Sequence, residues 1–411
     1  MRNRVVVTGL GCITPLGNDV PSSWDNCING NSGIEKITNF DPEMYRCQIA
    51  GEVKNFQLPE IIPLKEEKKM DLFIKYSIGA TQEALEDSGL KITKEIEEEV
   101  GVSLGVGIGG LGCIEKYNSI LENSGPKKVS PFFIPMTLSN LAPGYISLLF
   151  KAKNYTACSV SACTSSNHAI GTAARTIERG DAKVVISGGA ESSVTPLGIA
   201  GFSSMHALST RNDNPKKASR PYDLDRDGFV MGEGSGILIL EDYEFAKARG
   251  ARIYCEISGY GFSSDSFHVT SPSTEGPARA MKMTIKDSGI YPEQIDYINA
   301  HGTSTPAGDI NELNAIKIAM GKEAAKKTTI SSTKSMTGHL LGAAAAIEAV
   351  FSIKALHHNF VPPTINIDNL DPECDLDVTP NTGKSKEIHV AMSNAFGFGG
   401  TNASIIFKKT D

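Results

Sequence analysis

No segment of this 411-residue chain offers the about 18 uninterrupted apolar residues that a membrane-crossing helix needs. The short apolar run in the opening MRNRVVVTGLG is too brief for a signal peptide, so the expectation is a soluble, cytoplasmic protein without a membrane partner. No CxxC pair occurs among the eight cysteines, at 12, 27, 47, 113, 158, 163, 255 and 374. That spread excludes a disulfide framework and suits a reducing compartment. Positive charge is in deficit: 40 Lys and Arg stand against 47 Asp and Glu, a net charge of −7. With no arginine-rich stripe to offset it, nucleic acid is a poor partner. No low-complexity linker divides the chain.

Glycine is plentiful, at 40 residues, which implies tight turns and close backbone packing. Short apolar runs alternate with helical patterns. Strands are expected at residues 4–8, 100–106, 183–187, 236–241, 254–258, 297–300 and 401–407. Helices are expected at 77–88, 164–179, 244–249, 277–288, 309–320 and 342–356. Such alternation predicts an α/β protein. The best seam lies near Gly250, giving halves 1–250 and 251–411. Each half has a small-residue turn carrying Cys or His that opens an alanine-rich helix, CTSSNHAIGTAAR and then GHLLGAAAAIEAV.

The stretch SVSACTSSNHAIGTAARTIERG, Ser159 to Gly180, places Cys163 where a helix begins. Thr164, Ser165 and Ser166 can supply capping hydroxyls. Ala169, Ile170, Ala173, Ala174 and Ile177 then recur at helical spacing. A thiol at such a start faces free N–H groups and the positive end of the helix dipole, so a lowered pKa is expected. A buried structural cysteine is the competing reading.

Two other patterns invite a site and fail. Gly105, Gly107 and Gly110 in GVGIGG fit G-x-G-x-x-G, but the second strand with its acidic end does not follow, so a tight glycine turn is expected. Cys158, Cys163 and His168 lack a fourth zinc ligand, and no metal is expected there.

Three polar turns add to Cys163. NAHGTSTPAGD carries His301 and SSTKSMTGHLLG carries Lys334 and His339, each at the end of an apparent strand, where α/β proteins place their chemistry. SNAFGFGGTN supplies glycines whose N–H groups can hold an oxyanion. A single loop histidine is more often a surface residue, but one cysteine, two histidines, a lysine and a glycine turn at strand ends form a coherent set. His206, His268, His357, His358 and His389 are expected to be solvated or structural.

SACTSSNHAIG, NAHGTSTPAGD, SSTKSMTGHLLG and SNAFGFGGTN resemble segments of the β-ketoacyl-[acyl-carrier-protein] synthases, nearest the elongating class II enzymes of bacterial fatty-acid synthesis. RNDNPKKASRPYDLDRDGFVMGEGSG and VPPTINIDN extend the likeness to nearly the whole chain. The resemblance implies a thiolase-type fold, two similar halves in five αβαβα layers, and a homodimer. It implies decarboxylative Claisen condensation of acyl- with malonyl-acyl carrier protein, with no cofactor beyond the carrier's phosphopantetheine. A polyketide-type ketosynthase with the same trio is the alternative.

Residue by residue, the resemblance makes Cys163 the nucleophile and His301 and His339 neutral donors to an enolate. The N–H groups of Cys163 and Phe398 become the oxyanion donors. Lys334 fixes the histidine loop through Glu348. Thr303, Thr305 and Gly399 bind substrate, Phe398 gates, and Ile108 and Phe202 line the acyl pocket. Lys65, Lys68, Lys69, Lys127 and Lys128 are the docking candidates for an acidic carrier protein, and His206 stands where the family often has arginine. A structural monovalent cation is conceivable near Asn299, Glu348, Ser393 and Asn394.

Overall fold

The computed structural model describes residues 2–410. Ten strands form one mixed sheet. They are β1 (Val5–Ile13), β2 (Val100–Gly105), β3 (Thr156–Ser159), β4 (Val184–Glu191), β5 (Gly234–Asp242), β6 (Cys255–Ser264), β7 (Tyr297–Asn299), β8 (Thr329–Ser331), β9 (Val390–Gly397) and β10 (Thr401–Lys408). Their order is β8-β7-β9-β10-β6-β1-β5-β4-β2-β3. Cut between β6 and β1, the sheet is one wiring used twice, β1-β5-β4-β2-β3 and β6-β10-β9-β7-β8. In each half the two inner pairings are antiparallel and the two outer ones parallel. The halves join where Val6 and Val7 pair with Glu256 and Cys255.

Six helices occupy matching places: α1 (Leu72–Ser88), α2 (Leu141–Phe150) and α3 (Ser165–Arg179), then α4 (Glu275–Ser288), α5 (Gly308–Met320) and α6 (Ala344–His358). α1 and α2 cover the outer face of the first half-sheet, α4 and α5 that of the second, and α3 and α6 lie between. These are the five layers expected.

The strand sequences follow from burial on both faces. In β4, Val184 and Ile186 face the outer core while Val185 faces the middle one. In β10, Ile405 and Phe407 point to the middle and Ile406 outward. Continuous apolar runs replace polar alternation for that reason. The middle layer is thin because its residues are small. A Cβ at Gly171 would lie 2.3 Å from the Tyr260 ring, and one at Gly236 would lie 2.7 Å from the Ala346 backbone.

Three strands of this sheet escape sequence reading. β3 and β8 have only four and three residues, and β9 carries the polar pair Ser393–Asn394 inside and ends in glycine. α1 begins at Leu72, five residues before the expected start at Ser77.

Candidate active site

Cys163 lies within a one-turn 3-10 helix, Ala162–Thr164, that leads into α3. A second such turn, Leu341–Ala343, leads into α6. Each opens on a non-glycine residue in the left-handed region, Ala162 at φ +53° and Leu341 at φ +48°. That conformation costs on the order of 1–2 kcal/mol, so the surroundings must hold it. Around Cys163 they do so through Ser161. Its carbonyl accepts Thr164 Oγ1 at 2.6 Å and Thr401 Oγ1 at 3.1 Å, and its Oγ lies 2.7 Å from His168 Nδ1.

The expected capping by Thr164, Ser165 and Ser166 does not occur. The 3-10 turn already uses the first N–H groups, with Ser165 N–H donating to Ala162 O. The hydroxyls turn elsewhere: Ser165 Oγ donates to Ala162 O at 2.6 Å, and Ser166 Oγ donates to Gly342 O across the middle layer.

His339 stands just before the second turn, its Nε2 3.0 Å from Cys163 Sγ. The His301 ring, on the loop after β7, meets the His339 ring edge-on at 5.3 Å and 87°. The sulfur and one nitrogen of each ring all lie within 4.8 Å of one another. They open onto a cavity of about 550 Å³ that Ile108, Phe202, Thr303, Thr305 and Phe398 also line. The Thr303 and Thr305 hydroxyls are 3.1 Å apart. Gly399 sits beside the cavity, its N–H donating to Val269 O at 2.7 Å. Phe229, unmarked by sequence reasoning, packs 5.4 Å from both His339 and Phe202.

Lys65, Lys68, Lys127 and Lys128 are exposed and stand outside the cavity lining. Lys69 is half-buried, paired with Glu66 at 2.8 Å and lying over the Phe132 ring. His206, which the resemblance puts beside the pocket entrance, and His268, expected only to be solvated or structural, both line the cavity and are exposed. His206, at φ +54°, holds Arg46 at 2.9 Å, and His268 Nδ1 accepts the N–H groups of Thr270 and Ser271. For His268, a loop residue, no periodicity gave a signal of this.

Burial dominates the electrostatics. It pushes the Cys163 thiol up to about 12, and Glu191 adds to the rise. The Lys334 charge and the N–H groups of Phe398 and Cys163 pull the other way. The lowered pKa expected from the helix start is therefore corrected: loss of hydration around the sulfur outweighs the Lys334 charge and the two N–H groups. Burial and the Lys334 charge push both imidazoles well below their ordinary value. Both Nδ1 atoms are buried without a hydrogen-bond partner. A proton on Nδ1 would be an unpaired buried donor, so Nε2 is the better seat for it.

Lys334 is buried and ion-paired with Glu348, whose carboxyl burial raises to about 7 against the lysine's pull. Two further carboxylates anchor the site. Glu312 on α5 accepts the N–H groups of His301 and Gly302 at 2.9 and 2.8 Å, steadied by Asn394 Nδ2 at 3.2 Å. Glu191, at the end of β4, accepts the N–H groups of Gly107, Ile108 and Gly109 at 2.9, 3.2 and 3.2 Å. The glycine turn that mimics a nucleotide fingerprint thus encloses a side-chain carboxylate. The available signal for both was an acid at a buried register position, Glu312 beside Leu313 and Glu191 closing the strand VVISGGAE.

Comparison with known proteins agrees with this geometry. Residues 2–246 match the family model "Beta-ketoacyl synthase, N-terminal domain", and residues 254–368 match "Beta-ketoacyl synthase, C-terminal domain". The chain is 50% identical over 410 residues to a 3-oxoacyl-[acyl-carrier-protein] synthase 2 of Vibrio harveyi, covering 99% of each. It is also 50% identical to the protein of that name from Synechocystis sp., covering 99% of this chain and 98% of the relative. Among solved structures, the ishigamide ketosynthase/chain length factor superposes with a TM-score of 0.93 at 33% identity over the full length of both chains. A type II PKS acyl-carrier protein in complex with its ketosynthase gives 0.92 at 34%, again over both full lengths. On two family models that together span most of its length, and on half-identical relatives that it covers end to end, the chain belongs to the beta-ketoacyl synthase family.

Proposed function

We propose that the protein condenses acyl-[acyl-carrier-protein] with malonyl-[acyl-carrier-protein] in fatty-acid elongation. The products are a β-ketoacyl carrier protein two carbons longer, CO₂ and free carrier protein. The observation that carries this reading is the sulfur of a half-buried cysteine 3.0 Å from one imidazole, with a second imidazole in the same cluster, at the head of one apolar cavity.

Cys163 Sγ attacks the acyl thioester, and the tetrahedral oxyanion takes the N–H groups of Cys163 and Phe398. Such donors contribute about 3–4 kcal/mol each. The carrier sulfur leaves with the proton that Cys163 gives up, so the exchange is proton-neutral overall. Malonyl carrier protein then binds and loses CO₂. The enolate oxygen accepts from His301 and His339, which the low imidazole pKa values keep neutral and able to donate. The enolate carbon attacks the Cys163 thioester, and the cysteine sulfur departs as thiolate and takes one proton from water, the proton the net reaction consumes. Lys334 touches neither reacting group in this scheme. Burial, with the Lys334 charge adding to it, holds the imidazoles unprotonated, and the Lys334 pair with Glu348 fixes the histidine turn.

Thr303 and Thr305 offer adjacent hydroxyls to the phosphopantetheine arm, while Gly399 leaves the Phe398 turn free of side-chain bulk. Ile108 and Phe202 bound the acyl chain. Docking of an acidic carrier protein is assigned to the exposed lysines 65, 68, 127 and 128 with Lys69, and to the Arg46–His206 pair at the cavity. Asn299 Oδ1, Ser393 Oγ and Glu348 Oε2 are buried oxygens without a hydrogen-bond partner. They fit a monovalent cation, which would offset the Glu348 charge, whereas Asn394 Oδ1 already accepts from Ser404 Oγ. We read the chain as two halves, 1–250 and 251–411, assembling as a homodimer in the cytoplasm. The repeated wiring and the ends of the two family matches support the division.

Identity of 50% to the fatty-acid enzymes against 34% to a polyketide ketosynthase favours elongation over the polyketide alternative. The test is mass spectrometry of products from purified protein, malonyl carrier protein and acyl carrier proteins of graded length. Products two carbons longer are expected; none at any length would overturn the reading.

A further inference from the structure

Glu191 is a buried carboxylate that the condensation chemistry does not use. It accepts backbone N–H groups from two loops at once. Gly107, Ile108 and Gly109 come from the turn after β2, and Gly342, at 3.2 Å, comes from the 3-10 turn after His339. Ser193 Oγ donates to its Oε1 at 3.0 Å and fixes its orientation. The loops touch so closely that a Cβ at Gly342 would lie 2.1 Å from Gly107 N, and one at Gly107 would lie 2.5 Å from Glu191 Oε2. Each loop also contributes an apolar wall to the cavity, Ile108 from one and Leu341 from the other. One carboxylate therefore sets where both walls stand.

We propose that Glu191 is a positioning residue for acyl-chain selection: by clamping the 107–109 turn to the 341–343 turn, it fixes the room available to the acyl chain. The clamp needs acceptors only. Two carboxylate oxygens serve four N–H groups, and an amide would put its own donor among them. Freed on one side, the turns drift apart and Ile108 and Leu341 cease to hold a fixed depth. The inference rests on the condensing reading above and concerns selectivity within it.

A purely electrostatic effect is separable. The Glu191 charge opposes the Cys163 thiolate, so its removal would speed loading of every chain equally. Loss of the clamp instead changes loading according to length. The experiment follows acylation of Cys163 by intact mass, with carrier proteins bearing short to long acyl chains, for wild type and Glu191→Gln. Malonyl decarboxylation is measured alongside. The ratio of long- to short-chain loading should shift by about tenfold, the worth of between one and two methylenes of apolar contact. Decarboxylation, which involves no acyl chain, reports any general disturbance of the His339 turn, and the long-to-short loading ratio is read independently of it.

Ser193→Ala, which removes only the orienting hydroxyl, should shift the ratio in the same direction by less, and it serves if Glu191→Gln fails to fold. An unchanged length profile, or equal change at all lengths, would overturn the proposal. If wild type loads no acyl chain at all, the condensing reading itself fails, which is a distinguishable result.

Discussion

At the scale of single residues, the question is how a sulfur that burial pushes up to about 12 becomes reactive. The thiol is expected to stay protonated in the free protein at neutral pH. Alkylation of Cys163 by iodoacetamide should therefore accelerate about tenfold per pH unit up to at least pH 9, since only the thiolate reacts. A plateau near pH 7 would mean that the helix terminus and the Phe398 N–H outweigh burial after all. The two imidazoles serve the other half of the reaction. Cys163→Ala should abolish acyl transfer and leave malonyl decarboxylation running. His301→Ala should slow decarboxylation by about 10²-fold or more, as loss of a donor to a developing oxyanion does, with a smaller effect on acylation. Rapid-quench measurement of each half-reaction checks both, and equal losses in the two steps would contradict the division of labour.

At the scale of elements, the strained turn before α3 carries the nucleophile. Ala162→Gly removes the left-handed penalty at φ +53° but gives the unfolded chain more freedom, so global stability should change by less than about 1 kcal/mol. Acylation should slow nonetheless, because a glycine no longer pins the sulfur toward His339. Denaturant titration beside single-turnover acylation tests this; unchanged acylation would show that Ser161 and its partners alone suffice.

The turns were legible in the sequence because cysteine and histidine stand among glycines and hydroxyls at strand ends, a local signal. Their anchors were not. Glu312 acts across 11 residues and Glu191 across 84, so each looked like an ordinary acid until folding brought its N–H partners close. Likewise α3 and α6 could be read as alanine-rich helices, but their place between the half-sheets came only with the family resemblance. Nothing in helical periodicity says which helix will be buried on every side.

At the scale of the whole molecule, buried carboxylates shape stability. Burial raises Glu83 and Glu233 from 4.5 to about 7. Between those values the folded protein holds protons that the unfolded chain has released, so stability falls as pH rises through this window. Asp223 and Asp287 act at the other end. Burial works to raise them, yet Arg220 and Arg175, with backbone N–H groups, leave both below 3.8, and their contribution is lost in stronger acid. The carboxyl contribution by itself favours the folded state at pH 5 over pH 8 by on the order of a few kcal/mol, while His301 and His339, held neutral in the folded protein, work the other way. Circular dichroism melts of wild type and Glu233→Gln at the two pH values isolate the carboxyl part. Relative to wild type, Glu233→Gln should lose part of the stability present at pH 5 and absent at pH 8, and an identical pH dependence in the two proteins would contradict the assignment.

The thinness of the layer holding α3 and α6 has one more consequence. Sulfur and imidazole arrive from opposite halves of the chain, so their separation is a span between two bodies, gauged by how near those helices can lie. Gly171 against Tyr260 and Gly236 against Ala346 act as the shims of that caliper. Thickening either by a single methyl group would open the jaws at the reaction centre without altering any residue there.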